Sequence, residues 1–488
     1  MNKWSYRYEM YKHLETNLAK FYEDVRKVPD EIGMPKDLRG NIGLTGAVSS
    51  NHGLLTREII EAIAKGSRKV VGNKALDDEV RRIVKDVYGD EYDAAAINTC
   101  EAALWVTFDV LASPPFTGRG DNYRARYIAP YERHMHHQAG YGRPFPPKYK
   151  DLYADRGATA GEFGFYGKRL NNLETVIVPL VGAKYEVHGI KSHPCPLLMS
   201  VDPEASIERM AKVAEQQVAS LSAFTSLGYD TPGYGYGVKD NDGTPTLQRL
   251  IGELAQKYNV PYINDNAWAV PFIGVDPRKV KAEIMMYSMD KASGAPTSGL
   301  IIGKEEVMVQ IRRALGIQGE RWGTTSSHGK SAYVTQDPGK EALLGLIATL
   351  EILRDQPEKI TKPVDEMYEI VKQEFDRINP QLKDGLSIFK SYNCSSIEVN
   401  YENTWKDGKM GIPIFPIEDM YAGTALTQSG MSAMGIVPTL AYDGNILLSP
   451  GLGTTDEEGR LLEEPTRYIV RALVRLVEIL CKYARVIE

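Results

Sequence analysis

The sequence predicts an α/β protein with a mostly parallel central sheet, followed by a smaller α+β domain. Short apolar segments alternate with helical patterns from about residue 94 to about residue 310, which is typical of parallel strands covered by helices. After Pro338, long helical patterns precede alternating strand patterns. A chain of 488 residues is too long for one small core, so we expect two or three substructures.

The composition is ordinary for a soluble globular protein, with 43% hydrophobic and 25% charged residues. A net charge of −6 disfavours general nucleic-acid binding, because no basic field is available to collect phosphates. The four cysteines form no CxxC motif, which indicates a reducing compartment. The sequence shows no apolar signal core and no run of about 18 apolar residues, so we expect a cytoplasmic protein without a membrane span.

Residues 1–45 are predicted to form an N-terminal helix and an arm. Apolar and aromatic side chains recur at helical spacing from Trp4 to Tyr22, and Pro29 and Pro35 are expected to break the helix. A loop rich in Gly, Ser and Asn follows at 41–53, and amphipathic helices are predicted at 57–63 and 77–88.

The large domain is predicted to span 46–335 and to contain the central sheet. Its strands are expected at 94–98, 127–129, 175–178, 219–224, 260–263 and 299–303. Its helices are expected from about Glu101 onward and at 246–258. The segment 135–170 is rich in Pro, Gly, Tyr and Arg, and we expect it to be a long functional loop.

The small C-terminal domain is predicted to span 336–488. Its helices are expected at 340–353, 363–378 and 464–483, and its strands at 394–400 and 445–449.

Asp265 and Lys291 form the most informative pair in the sequence. Asp265 follows the apolar strand at 260–263, and Lys291 lies in a Ser- and Gly-rich segment before the apolar strand at 299–303. Chemistry with pyridoxal phosphate needs such a pair, because a lysine holds the cofactor as a Schiff base and an aspartate keeps its ring nitrogen protonated. Alone, each residue would be an ordinary strand-end cap or a solvated loop residue. Together they are predicted to be catalytic and to bind this cofactor.

The cofactor also needs an anion-binding turn, and residues 98–103 are suited to be one. They follow a strand and begin a helix, where free N–H groups and the helix dipole favour a phosphate. An ordinary helix cap is the alternative. Besides Asp265 and Lys291, the predicted cofactor-binding residues are Thr99, Cys100, Glu101, Ala267 and Ser288.

Three histidines, His134, His136 and His137, follow the strand at 127–129. We expect no metal there, because no nearby Asp, Glu or Cys set completes a site. A histidine that stacks on the cofactor ring is favoured instead. We choose His136 for this role, with His134 in reserve, although the sequence does not decide between the three.

A second loop, at 316–330, combines glycines with hydrogen-bond donors, among them Arg321. We expect it to recognise an anionic group of the substrate or to reach the phosphate of a neighbouring subunit. A simple surface loop is the alternative.

Taken together, these motifs resemble the fold-type I pyridoxal-phosphate enzymes, the aspartate aminotransferase superfamily. The phosphate turn, the stacking residue, Asp265 and Lys291 occur in that superfamily's order, and 265–267 is similar to its Asp-x-Ala strand end. The loop at 41–53 and the segment 288–299 are similar to the selenocysteine synthase-like branch, which includes seryl-tRNA selenium transferases and related ammonia-lyases. The likeness covers roughly residues 40–360. It implies a mostly parallel seven-stranded sheet in the large domain, and an active site at the interface of a homodimer or homotetramer.

The chain departs from this pattern in three respects. No N-terminal tRNA-binding domain is evident, and the segment of the 130s to 160s is longer than the branch suggests. The C-terminal strand, at 446–451, lacks the arginine that binds the substrate carboxylate in many aminotransferases. The substrate's anionic group must then meet another cation, and the candidates are Arg321, Arg133 and Arg312.

The resemblance implies an enzyme that acts on an amino acid or amino-acid-like substrate, and a lyase (elimination or C–C cleavage) is favoured. An aminotransferase or an amino-acid decarboxylase is the alternative on the same scaffold. A non-catalytic or tRNA-associated binding protein is the alternative of another class, and the intact pair of Asp265 and Lys291 argues against it.

Overall fold

A computed structural model describes residues 12–44, 53–112, 126–131, 191–196, 202–315, 336–401, 403–404, 411–414, 423–438 and 445–488. Within these residues the central sheet has seven strands, in the order β2-β8-β7-β6-β5-β3-β4. Only β8 runs antiparallel to its neighbours. The predicted mostly parallel seven-stranded sheet is therefore confirmed.

The central sheet consists of β2 (Tyr92–Ile97), β3 (Arg126–Tyr131), β4 (Lys191–Pro196), β5 (Leu221–Leu227), β6 (Tyr262–Asn266), β7 (Ile284–Ser288) and β8 (Gly299–Lys304). A separate sheet contains β9 (Ser387–Ser391), β10 (Ser396–Asn400) and β12 (Ile446–Leu448). The short strands β1 (Ile42–Gly43) and β11 (Ile436–Val437) pair in parallel.

The helices before the separate sheet are α1 (Leu18–Glu31), α2 (Arg57–Ser67), α3 (Asn73–Tyr88), α4 (Cys100–Ala112), α5 (Pro203–Gln217), α6 (Thr246–Tyr258), α7 (Pro277–Val280), α8 (Glu305–Leu315), α9 (Lys340–Asp355), α10 (Glu358–Phe375) and α11 (Pro380–Lys383). The later ones are α12 (Gly423–Ala433) and α13 (Glu463–Tyr483). A 3₁₀ turn lies at Pro232–Tyr234. None of the described helices is both long and apolar enough to cross a membrane.

Strands β2, β5, β6 and β7 are buried along their whole length, as expected of a sheet covered on both faces. Helix α4 is also buried around most of its circumference, with Glu101 and Trp105 as its exposed residues. A helix that is apolar on nearly all sides belongs inside a domain. Its first turn therefore lies at the edge of the sheet, fixed by packing on several sides.

A second core lies in the C-terminal part of the chain, where α10, α12 and α13 pack against the three-stranded sheet. Helix α1 and strand β1 contribute Phe21, Val25 and Ile42 to this core. Helix α9, in contrast, packs Leu343, Leu346 and related residues on the core of the central sheet. The domain bounds 1–45, 46–335 and 336–488 remain predictions.

The expectation that Pro29 breaks the N-terminal helix was wrong. Helix α1 continues through Pro29 and ends at Glu31. Gly33, just after this end, takes a positive φ of 71°. Pro29 has no N–H, so α1 loses one backbone hydrogen bond in its last turn. Pro363 also lies inside a helix, because α10 begins at Glu358 and not at Pro363 as expected. The strand predicted at 175–178 and the loop predicted at 135–170 lie outside the described residues.

Candidate functional site

The pairing of the strands places Asp265 and Ser288 on one face of the central sheet. Asp265 on β6 pairs with Met286 on β7, and Ser288 pairs with Gly299 on β8. Side chains two residues apart on a strand share a face, so Asp265, Met286 and Ser288 point the same way. Gly299 also pairs with Ile97, the last residue of β2. The ends of these strands thus form one edge of the sheet, where the chain enters α4.

Thr99 starts helix α4 at this edge. Its hydroxyl accepts a hydrogen bond from the Ala102 N–H at 3.1 Å, so Thr99 acts as the helix cap. The first N–H groups of a helix have no intrahelical partner and lie at the positive end of its dipole, which makes this turn suited to an anion. A Cβ at Gly299 would lie 2.5 Å from the Thr99 carbonyl oxygen. Glycine at 299 is therefore what lets the turn approach β8 so closely.

Asp265 lies at the end of β6 with a side chain that is buried and fixed. It is 4% exposed, and its Oδ1 accepts a hydrogen bond from the Ala267 N–H at 2.9 Å. Its carbonyl oxygen accepts from the Gly228 N–H at 2.7 Å. The half-buried Ala267 therefore contributes its backbone to holding the carboxylate.

Lys291 lies half-buried in the turn after β7. Its backbone N–H donates to the Ser288 carbonyl oxygen at 3.3 Å, and Gly294 takes a positive φ of 73° to complete the turn. The amino group of Lys291 makes no hydrogen bond or ion pair with any residue that the structure describes. Lys291 also lines a cleft between the two cores, opposite Ser395 and Pro450 of the C-terminal part.

The turn between β9 and β10 holds these two parts together beside the site. The Asn393 amide donates to the Gly228 carbonyl oxygen at 2.9 Å, and its Oδ1 accepts from the Val275 N–H at 2.8 Å. The Val270 N–H donates to the Asn393 carbonyl oxygen at 2.7 Å. One buried asparagine thus fixes the C-terminal wall of the cleft against the loops that follow β5 and β6.

The charges of Asp265 and Lys291 both act on the Cys100 thiol, in the first turn of α4. Burial raises the pKa of Cys100 well above its usual value, the charge of Asp265 raises it further, and the charge of Lys291 opposes the shift. Both charges therefore act on one thiol in the first turn of α4. The structure brings together the lysine, the aspartate and the helix start that the sequence predicts, and it leaves the thiol protonated.

The Ser288 side chain is hydrogen-bonded to Asp290, a residue that the sequence did not single out. Its hydroxyl donates to Asp290 Oδ1 at 2.6 Å, and both side chains are buried. The proton of Ser288 is therefore directed to Asp290 and not towards the start of α4. The only sequence signal for Asp290 was its position directly before Lys291.

Arg312 belongs to an internal ion pair. It is 6% exposed, and its guanidinium donates to Asp77 Oδ2 at 2.9 Å and to the Ala94 carbonyl oxygen at 2.8 Å. These contacts tie α3, β2 and α8 together, so its donors are engaged away from the cleft. The other predicted site residues, His136 with His134 and His137, Arg133 and Arg321, lie outside the described residues.

The first turn of α4 has a further neighbour that the sequence did not indicate. The Asn98 N–H donates to the Gln336 carbonyl oxygen at 2.8 Å, which places residues 336–338 beside the turn. The contact joins parts of the chain far apart in sequence, so no local pattern announces it. Glu101, also in this turn, is exposed.

The sequence matches no family of known proteins, and no well-characterised protein is similar to it in sequence. Solved structures are similar in fold. Adenosylmethionine-8-amino-7-oxononanoate aminotransferase from Methanocaldococcus jannaschii superposes with a TM-score of 0.50 at 15% identity, over 89% of this chain and 88% of that one. Pyridoxamine-pyruvate aminotransferase from Mesorhizobium loti superposes with a TM-score of 0.49 at 15% identity, over 91% of this chain and 94% of that one. D-Glucosaminate-6-phosphate ammonia-lyase superposes with a TM-score of 0.48 at 14% identity, over 91% of this chain and 99% of that one.

At these identities the likeness bears on the fold alone. The first of these similarities, with a TM-score of 0.50 over most of both chains, supports the fold seen in the seven described strands. The chain has the fold-type I pyridoxal-phosphate-dependent transferase fold.

Proposed function

We propose that this protein is a pyridoxal-phosphate-dependent enzyme that acts on an amino acid or amino-acid-like substrate. The observation that carries the proposal is the placement of Lys291 and Asp265 beside the start of α4. Strand pairing puts Asp265 on the face where α4 begins, and both charges act on the Cys100 thiol of that helix. A fold alone would not support this, since one fold hosts many functions.

The residues at this edge fit the cofactor. The Lys291 amino group is not engaged by any described residue, and the Asp265 carboxylate is buried and anchored. The first turn of α4 offers N–H groups to a phosphate, and the absence of a Cβ at Gly299 is what holds that turn close to the sheet. The cofactor, when bound, supplies an electron sink for the carbanion of the substrate.

Each of these residues then has a distinct task. Lys291 would hold the cofactor covalently, and its free amino group would carry a proton to or from the substrate. Asp265 keeps the proton on the ring nitrogen. The Thr99–Ala102 cap fixes the start of α4, where the phosphate is held. The proposed ring-stacking residue is His136.

A lyase is the reaction class that we favour. Of the described residues that line the cleft, Lys291 and Lys359 carry positive charge and none is an arginine. The segment after β12 contributes Pro450 and Gly451 to the cleft wall, where a carboxylate-binding arginine would suit transamination of ordinary amino acids. Arg321 and Arg133 remain the proposed anchors for the anionic group of the substrate. An aminotransferase or an amino-acid decarboxylase is the second candidate.

The selenocysteine synthase-like branch is the proposed relationship within the superfamily, supported by the sequence motifs at 41–53 and 288–299. We also propose a small-molecule substrate, a homodimer or homotetramer, and a cytoplasmic location. The net charge of −6 supports the absence of a nucleic-acid substrate.

The cofactor assignment is tested by loading the purified chain with pyridoxal phosphate. We expect a visible absorption band that borohydride abolishes, and peptide mapping should then find the label on Lys291. Lys291→Ala should lack both the band and the label. Lys359→Ala, which changes a lysine of the same cleft, should keep both. A label on another lysine, or no bound cofactor, would refute the proposal.

The reaction class is tested by incubating the loaded enzyme with a panel of amino acids and amino sugar acids. A lyase that eliminates ammonia releases ammonia and a keto acid without needing an amino-group acceptor, whereas an aminotransferase requires a keto-acid acceptor. A decarboxylase releases an amine. Turnover that depends strictly on an added keto acid would exclude the favoured reaction class.

A further inference from the structure

The cleft that Lys291 lines has an apolar wall built from three helices. The wall residues are Ile59 of α2, Ile352 and Leu353 of α9, and Ile360 and Pro363 of α10. Ile59 and Ile352 pack in one cluster, and Leu353 belongs to the core of the central sheet. Such a wall favours an apolar group of a ligand, because that group gains free energy on leaving water.

The wall carries no net charge among its described residues, apart from Lys291. Lys359 is paired with Glu58 of α2, and Glu458 is paired with Arg57 at 3.1 Å. Each cation at the cleft is therefore matched by a carboxylate. A second anionic group on a ligand would find no uncompensated cation in this part of the wall.

The remaining polar side chains of the described wall are uncharged. They are the hydroxyl groups of Thr56, Thr349, Thr455, Ser293 and Ser395. The Thr349 hydroxyl donates to the Gly345 carbonyl oxygen of its own helix at 2.9 Å. A charged side chain that loses water needs an opposite charge, which hydroxyl groups do not supply. The wall therefore selects against charge in the group that enters the cleft.

We propose that this cleft holds the side chain of the substrate, and that the substrate is an amino acid whose side chain is uncharged and apolar beyond its reacting carbons. The inference rests on the proposed function, because Lys291, which lines the same cleft, is the group that acts on the substrate. Ile360 is the specificity-determining residue. It is half-buried and packs on the core of the central sheet, so it is fixed in place and still open to a ligand.

The test is the affinity of the full-length protein, loaded with pyridoxal phosphate, for straight-chain amino acids. The probes are L-alanine, L-2-aminobutyrate, L-norvaline and L-norleucine, and calorimetric titration without a keto acid gives Kd. They carry no leaving group, so a lyase does not consume them. We expect Kd to fall by about fourfold for each added methylene group. L-Glutamate should bind at least about tenfold more weakly than L-norleucine. A Kd independent of chain length, or a preference for L-glutamate, would overturn the proposal.

Two matched variants test the role of Ile360. Ile360→Thr keeps the branched shape and adds a hydroxyl, so the advantage of L-norleucine over L-alanine should fall by about threefold or more. Ile347→Thr is the control, because Ile347 is also half-buried and packs on the same core but does not line the cleft. Its ratio should stay that of the wild type. An equal fall in both variants would show a general loosening of the core, which contradicts the proposal.

Should Ile360→Thr fail to fold, Glu58→Gln tests the charge of the wall at an exposed position. It removes the partner of Lys359 and leaves an uncompensated cation at the cleft. L-Glutamate should then gain about threefold in affinity, while L-norleucine should bind as in the wild type. An unchanged affinity for L-glutamate would count against the proposal, because the ligand would then lie away from this wall.

Failure of this inference and failure of the proposed function give different results. A protein that takes up pyridoxal phosphate on Lys291 but binds all four straight-chain probes equally would overturn the inference alone. If the same protein lost self-association in Ile360→Lys, a second copy of the chain would be the occupant of the cleft. A chain that never carries the cofactor on Lys291 would refute the proposed function, and this inference with it.

Discussion

Backbone groups contribute to the fixed position of Asp265. The Ala267 N–H binds its Oδ1, and the Gly228 N–H binds its carbonyl oxygen. An amide oxygen at this position can accept the same Ala267 hydrogen bond. Asp265→Asn should therefore preserve the fold and remove only the negative charge.

We expect Asp265→Asn to lower kcat/KM by about 100-fold or more, which corresponds to about 3 kcal/mol of transition-state stabilisation. The physical reason is that a neutral amide does not hold a proton on the ring nitrogen, so the electron sink is weakened. Steady-state kinetics on the substrate found in the panel provides the measurement. Asp384→Asn, an exposed change elsewhere, is the control. Turnover near that of the wild type would mean that Asp265 is only a strand-end residue.

Single residues of the site could be predicted where local sequence carries the signal. Asp265 and Lys291 stand out because each adjoins an apolar strand, and Thr99 because it lies between a strand and a helix. Asp290 was missed because its burial depends on the packing of Ser288 and α4, which no local pattern shows. The engagement of Arg312 by Asp77 was missed for the same reason, since the two residues meet only in the folded chain.

At the scale of elements, the end of β2 is held by a network of acidic and basic groups. Asp77 Oδ1 accepts the Ala96 N–H, and residues 336–338 bind the turn that follows β2. Burial, and then the charge of Asp77, raise the pKa of Asp337 to about 6. Asp337 Oδ1 also has no hydrogen-bond partner among the described residues.

This raised pKa predicts how Asp337 affects stability at different pH. The folded state binds the Asp337 proton more tightly than the unfolded state, whose pKa is near 3.8, so stability falls as pH rises between these values. Asp337→Asn should remove this loss of stability at high pH. The variant should exceed the wild type in melting temperature by about 2 °C at pH 8 and by much less near pH 4. An equal gain at both pH values would show that the effect is not one of ionisation.

Whole elements followed the sequence closely when their periodicity was strong. Helix α6 has the predicted bounds, and α13 differs by one residue at its start. Strand β4 was not predicted, because Pro194 and Pro196 argue against a strand. Strand β4 lies at the edge of the sheet that the structure describes. At an edge, a proline whose nitrogen faces away from the neighbouring strand removes no hydrogen bond between strands. Helix α5 was also missed, although Asp202 caps it and Pro203 occupies its first position.

At the scale of the whole molecule, we expect at least a dimer. Leu54, at the cleft, is 70% exposed, and Ile60 on the neighbouring helix α2 is 52% exposed, which is apolar surface of the kind that a partner covers. Ile60→Asp should weaken the association in sedimentation velocity experiments. Val218→Asp, an equally exposed valine after α5, should not. A wild-type protein that sediments as a stable, active monomer would contradict the expectation. The N-terminal segment is also expected to contact a partner, and it lies outside the described residues. Its aromatic residues are Trp4, Tyr6, Tyr8 and Tyr11.

Early and late elements of the sequence share one core, which has a consequence for biosynthesis. Strand β1 pairs with β11, and the Tyr483 hydroxyl of α13 donates to Asp24 of α1 at 2.7 Å. The N-terminal part of a protein leaves the ribosome first, so α1 must wait with its apolar face uncovered until α13 has been made. All strands of the central sheet have emerged by then. The C-terminal core is therefore completed only once α13 has emerged, after all strands of the central sheet have been made.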